Sequence, residues 1–177
     1  MNIRSIRAAL FLFLIMCIET NAQSFGQNKV QYKVFEWNYI QTSHFDIYYY
    51  DGEQDLAEFV ADVAEDSYEQ ISIHLRWNLK NRVSIMVYNS HNEFQQTNIV
   101  RPYMREGVGG VTELFKNRVV FPFEGNYEQF RHVIHHELVH AMINDMIYGG
   151  RMQNIISSRA KIRVPIWSNE GLAEYLS

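Results

Sequence analysis

Between positions 132 and 140 the chain carries four of its seven histidines, and two of them frame the run His136-Glu137-Leu138-Val139-His140. Imidazoles four positions apart lie one turn apart on the same face of an α-helix, so both can reach a single metal ion. Glu137, beside the first histidine, is placed to take a proton from a water at such an ion. Two nitrogens do not complete a catalytic site, because a catalytic zinc typically has three protein ligands and one open position. Thirty positions beyond His140, the segment Trp167-Ser168-Asn169-Glu170-Gly171-Leu172-Ala173-Glu174-Tyr175 offers two glutamates one helical turn apart. One can bind metal while the other supports it.

The two motifs together resemble the gluzincin zinc metallopeptidases, the group of thermolysin and aminopeptidase N, in which an Asn-Glu-Gly helix donates the third ligand. The matching residues here are Asn169-Glu170-Gly171. The resemblance implies a Zn²⁺ cofactor held by His136, His140 and Glu170, with Glu137 as general base. It also implies that Glu174 is the acid on His136 and Asn169 the partner of His140, bonds of the kind that fix imidazole tautomer and orientation. The implied activity is hydrolysis of peptide bonds in a peptide or protein substrate. The implied fold is α+β, a zincin-like N-terminal lobe in which a small mixed sheet sets an edge strand above a buried HExxH helix. The second motif is also similar to secreted bacterial peptidase-like (peptidase MA-like) domains that precede a TolB-like β-propeller, so a propeller is the expected companion in a longer chain.

Two departures from the gluzincin pattern carry expectations of their own. The gap between the motifs is longer than in the best-known members, and only Leu176-Ser177 follow Tyr175, without the downstream tyrosine or histidine that stabilises an oxyanion. The chain is therefore expected to be the front part of a longer protein whose C-terminal lobe is missing. The alternative function is a catalytically weak or inactive peptidase-like module that binds zinc or peptide in a larger cell-envelope protein.

The motifs must be positioned by regular elements, and their sequence signals are distinct. Phe45, Ile47 and Tyr49 alternate with polar neighbours before Asp51-Gly52, the pattern of a half-buried strand. Gln54 to Arg76 places Leu56, Phe59, Val60, Val63, Tyr68, Ile71 and Leu75 at helical spacing, with an acidic stripe that reads as a solvated face. Val83, Ile85 and Val87 predict a second strand, after which Ser90 can cap a short helix through about Asn98. Gly107 to Gly110 leads into 111–115 and 118–123, two strands expected to adjoin around Lys116-Asn117. The glycine cluster lacks the Lys-Ser/Thr and the following helix of a phosphate loop. Asn126 should cap a helix ended by Gly149-Gly150, and Ser168 or Asn169 should open a last helix through Tyr175. The stretch 151–164 is basic and weakly patterned.

The remaining histidines read differently. His132 is one turn before His136 but progressively off the seam, which suits a hydrogen-bonding or surface role. His135 points about 100° from His136, so it is packed or solvated. His44, His74 and His91 have no ligand spacing, and the aromatic runs at 48–50 and 121–123 suit a core.

Composition bounds the class. With 177 residues, 47% hydrophobic and 14% aromatic, the chain suits one globular domain, and 16 basic against 20 acidic residues argue against a nucleic-acid partner. Two arginines before the apolar run Ala8–Ile18 read as a signal peptide spanning 1–22, cleaved near Ala22. That run is shorter than the ~20 residues that span a bilayer, so no stable transmembrane anchor is expected. Cys17, the only cysteine, sits near the end of the run, and the bulk of Met16 before it makes lipid attachment the lesser reading. The expected organisation is a leader at 1–22, a lead-in arm at 23–40 and a metallopeptidase-like domain at 41–177. The expected location is the periplasm or the extracellular space, where disulfides could form but no cysteine would remain.

Overall fold

The alternation of apolar residues with period two and with helical period resolves, in a computed structural model, into a mixed sheet covered on one face by two long helices. The structure describes residues 29–50, 52–99, 107–113, 117–149 and 165–177. The readings made for the leader and its cysteine at 1–22, and for the basic stretch at 151–164, lie outside these residues. In chain order the elements are β1 (Asn38–Gln41), β2 (Phe45–Tyr49), α1 (Gln54–Leu75), β3 (Val83–Tyr88), α2 (His91–Phe94), β4 (Val111–Glu113), β5 (Arg118–Pro122), α3 (Tyr127–Tyr148) and α4 (Ile166–Leu176).

The five strands lie in the order β1-β2-β3-β5-β4. The middle pairings, β2 with β3 and β3 with β5, are parallel, and both outer pairings are antiparallel. Parallel neighbours need a crossover, which α1 supplies between β2 and β3. The fold is thus α+β with a small mixed sheet, as expected. Among the described residues no helix is long and apolar enough to cross a membrane.

Strand periodicity sorts the side chains to two faces. Phe45, Ile47, Val83, Ile85, Val87, Val119 and Phe121 join the apolar sides of α1 and α3 in the main core. The opposite face buries Tyr50, Tyr88, Phe94 and Val120, packed by Phe35 and Trp37. Phe35 and Trp37 belong to the segment drawn as a lead-in arm, and β1, which the sequence reading did not single out, pairs with β2 from Asn38↔Tyr49 to Gln41↔Asp46. Lys33 reaches across to Glu93 at 2.9 Å and stands over the rings of Phe35 and Tyr50. Burial, followed by the Glu93 carboxylate that accepts its hydroxyl proton at 2.6 Å, pushes the Tyr50 phenol well above its ordinary pKa.

Helix ends follow local chemistry. The Asn126 side chain accepts from the backbone N–H groups of Glu128 and Gln129, and Gly149 closes α3 at φ 60°. Ser90 caps α2 through the N–H of Glu93, but α2 ends at Phe94 rather than near Asn98. The last helix starts earlier than expected. Pro165, at φ −59° and ψ 140°, takes the capping position, and its carbonyl accepts from Ser168 and Asn169, so both residues lie within the first turn.

Candidate metal centre on helix α3

Helix α3 is held by a stripe of fully buried side chains, Ile134, Leu138 and Met142, spaced four apart against the sheet and α1. Burying each such side chain contributes roughly 1.5–3 kcal/mol. That stripe orients the rest of the helix. His136 and His140 emerge on one side with ring centroids 4.9 Å apart and planes at 82°. Glu137, a third of a turn on, points toward β4.

The third member arrives on α4, which packs on α3 through the fully buried Ala173. The small side chain lets the helices approach closely, and Glu170 and Glu174, one turn apart, both face the histidines. Glu170 Oε2 lies 3.6 Å from His136 Nε2 and 3.4 Å from His140 Nε2. One ligand atom each from His136, His140 and Glu170 lies within 4.8 Å of the others, so the three could hold a metal ion. Two imidazole nitrogens and one carboxylate oxygen are a donor set that divalent transition metals accept. Side-chain exposure falls from 56% at Glu170 through 21% at His136 to 9% at His140. The group is therefore open on the α4 side and closed toward the core.

The surrounding residues divide. Glu174 Oε2 stands 3.7 Å from His136 Nδ1, in ion-pair range but beyond a hydrogen bond. The Asn169–His140 bond implied by the resemblance is not made. His140 Nδ1 and Asn169 Oδ1 are both buried without a hydrogen-bond partner. Glu137 is held by the edge strand, with Thr112 Oγ1 2.6 Å from its Oε2. Thr112 carried no signal in the sequence, since its contact is between a strand and a helix 25 residues away.

A cleft of about 320 Å³ opens beside the group, lined by Gly107–Gly110, His132, Val133, His136, Glu137 and Glu174. His132 lies on its rim, its ring 6.4 Å from that of His136. The glycines permit the approach of the strand, because a Cβ on Gly109 would come within 3.0 Å of Val133 and one on Gly110 within 2.9 Å of the Glu137 stem. His135 turns to the other side of α3. Its partial burial pushes the imidazole below its ordinary pKa, and the neighbouring His132 and His74 add repulsion. The other histidines contact residues outside the group: His44 Nδ1 meets Glu65 at 2.7 Å and the ring stacks on Tyr68, His74 Nδ1 meets the Gln70 carbonyl at 2.8 Å, and His91 Nδ1 lies in ion-pair range of Glu124 at 3.4 Å.

Comparison of the chain with protein-family models, with curated proteins and with solved structures finds no match.

Proposed function

We propose that this chain is a zinc-dependent peptidase that hydrolyses peptide bonds, with His136, His140 and Glu170 as zinc ligands and Glu137 as general base. The observation that carries this reading is the spacing of the donor atoms. Glu170 Oε2 lies 3.6 and 3.4 Å from the two imidazole Nε2 atoms. Ligand atoms on a tetrahedral zinc, at bonds of about 2.0–2.2 Å, stand about 3.4 Å apart. The position of β4 beside the histidine helix, expected of a zincin-like lobe, supports the same reading: among the described residues β4 lies outside β5 in the sheet, and Thr112 on it bonds Glu137 of α3.

A bound zinc would polarise the scissile carbonyl and raise the acidity of the attacking water. Glu137 takes the proton from that water and hands it to the leaving nitrogen, which departs as an amine. Glu174, 3.7 Å from His136 Nδ1, would favour the orientation with Nε2 toward the site by its charge, and would hold the ring if it closed to hydrogen-bond range. The cleft along Gly107–Gly110 would receive an extended stretch of peptide or protein substrate.

Glu137→Gln keeps the shape and removes the base. The variant should retain one zinc per chain and lose about 10²–10⁴-fold in hydrolysis of a peptide library, the usual contribution of general-base catalysis. Wild-type turnover in the variant would remove Glu137 from the reaction. Stoichiometric zinc with no chelator-sensitive cleavage by the wild type would assign the site instead to a peptide-binding module.

A further inference from the structure

The carboxylate of Glu137 sits in a slot between helix α3 and the start of β4. Gly110 forms one wall: a Cβ there would come 2.9 Å from Glu137 Cγ and 2.8 Å from the buried ring of Phe121. Thr112 closes the tip. Its Oγ1 is 2.6 Å from Glu137 Oε2 and 3.0 Å from the Glu137 backbone carbonyl. A hydroxyl has a single proton to donate, and the shorter contact to a charged oxygen is the stronger acceptor. The backbone of Glu137 is fixed by the helix, its stem by the bare backbone at Gly110 and its tip by Thr112.

We propose that Thr112 is the positioning residue for the Glu137 carboxylate: its hydroxyl binds Oε2, so that Oε1 is the oxygen left to exchange protons at the cleft. The proposal rests on the reading of Glu137 as general base. An unrestrained glutamate samples several rotamers, and only a fraction of them would present an oxygen to the attacking water. Fixing one oxygen raises that fraction without touching substrate binding, so the effect belongs in kcat.

The test compares Thr112→Val, which keeps the branched shape a strand accepts, with Thr112→Ser, which keeps the hydroxyl. In Thr112→Val, kcat should fall about 10–100-fold, the effect of losing one hydrogen bond to a charged group. KM should stay within about twofold and zinc stoichiometry should not change, while Thr112→Ser should recover most of kcat. Crystal structures of metal-free protein give a readout independent of turnover. The wild type should hold Oε2 on Thr112, and Thr112→Val should show the Glu137 carboxylate turned or spread over rotamers.

Unchanged kcat in Thr112→Val, a loss confined to KM, failure of the serine variant to recover activity, or a wild-type carboxylate turned away from Thr112 would each overturn the proposal. If Glu137→Gln is inactive while Thr112→Val is not impaired, the positioning role fails and the peptidase reading stands. If Glu137→Gln cleaves like the wild type, or the wild type cleaves nothing, the base reading fails and the positioning role falls with it.

Discussion

Two loops reach helix α3 from opposite ends, and they grip it by opposite means. The connection between α1 and β3 does so with side chains. Trp77 Nε1 and the backbone N–H of Lys80 both donate to the fully buried Asp145 Oδ2 at 3.0 Å, and Asn81 donates to the Gly149 carbonyl at 3.1 Å. Arg82, at the end of the same loop, bonds the Asp46 carboxylate and the carbonyls of Thr42 and Ser43. The segment 107–110 does the reverse. It comes close because Gly109 and Gly110 have no side chains there. The comparison separates two tasks on one helix. Directional bonds fix its C-terminal end, and the stretch that carries Val133, His136 and Glu137 is left with bare backbone on one side and open volume beside it.

The sharpest way to break the first grip is Asp145→Ala. It strands two partly buried donors on a fully buried site, and should cost about 2–4 kcal/mol, or roughly 5–15 °C in Tm, by thermal unfolding. An unchanged Tm would show that the loop is held by packing alone. Breaking the second grip should look different. Gly110→Ala forces a methyl against Phe121 and Glu137, so stability should fall by about 1–3 kcal/mol while hydrolysis falls further than that loss of folded protein explains. A variant with full activity per folded molecule would show that the strand yields without disturbing Glu137.

The smallest effect should come from Arg82→Gln, and it carries a pH signature. The hydrogen bond from Arg82 is the main reason that the Asp46 carboxyl is held below its ordinary pKa; burial opposes it, and Gln41 and the guanidinium charge assist. A folded-state pKa below the unfolded value adds stability above the carboxylate range, and that stability is lost as pH falls through the folded pKa. The variant should therefore lose about 1 kcal/mol or less near pH 7, given the exposure of the pair. That part of the deficit should fade below about pH 4, where Asp46 protonates in the unfolded chain. A deficit constant from pH 7 to pH 3 would assign the whole effect to the carbonyl bonds.

What could be read in the sequence tracks how local the signal is. Asn126 and Gly149 bound α3 because capping depends on neighbours a few residues away; the α+β class with its small mixed sheet was implied by the gluzincin resemblance, and the order of strands and helices was compatible with it. The ligand spacing of His136 and His140 is a property of one turn of helix, and Glu170 was found by its motif and stands beside them. Contacts between distant elements were not legible. Phe35 and Trp37 carry no turn signals, and their burial depends on the far face of the sheet. Thr112 meets Glu137 only once β4 is laid over α3. Asp145 did leave a trace that went unread: it lies seven residues after Leu138, on the apolar stripe that contains Ala141 and Met142. An acid at such a position needs buried donors.

The strand order also bears on when the candidate metal centre is assembled during synthesis. Domains tend to form from the N-terminal side as they emerge. Here β1, β2 and β3 are neighbours in both sequence and space, with α1 folding back over them, and β5 adds beside β3 with β4 outside it. The whole sheet can therefore be built before any residue of the His136, His140 and Glu170 group has been added to it. Glu170 is supplied by α4, which follows β5 and α3 in the chain, so the sheet would stand as a scaffold before the three residues that could hold a metal ion are brought together.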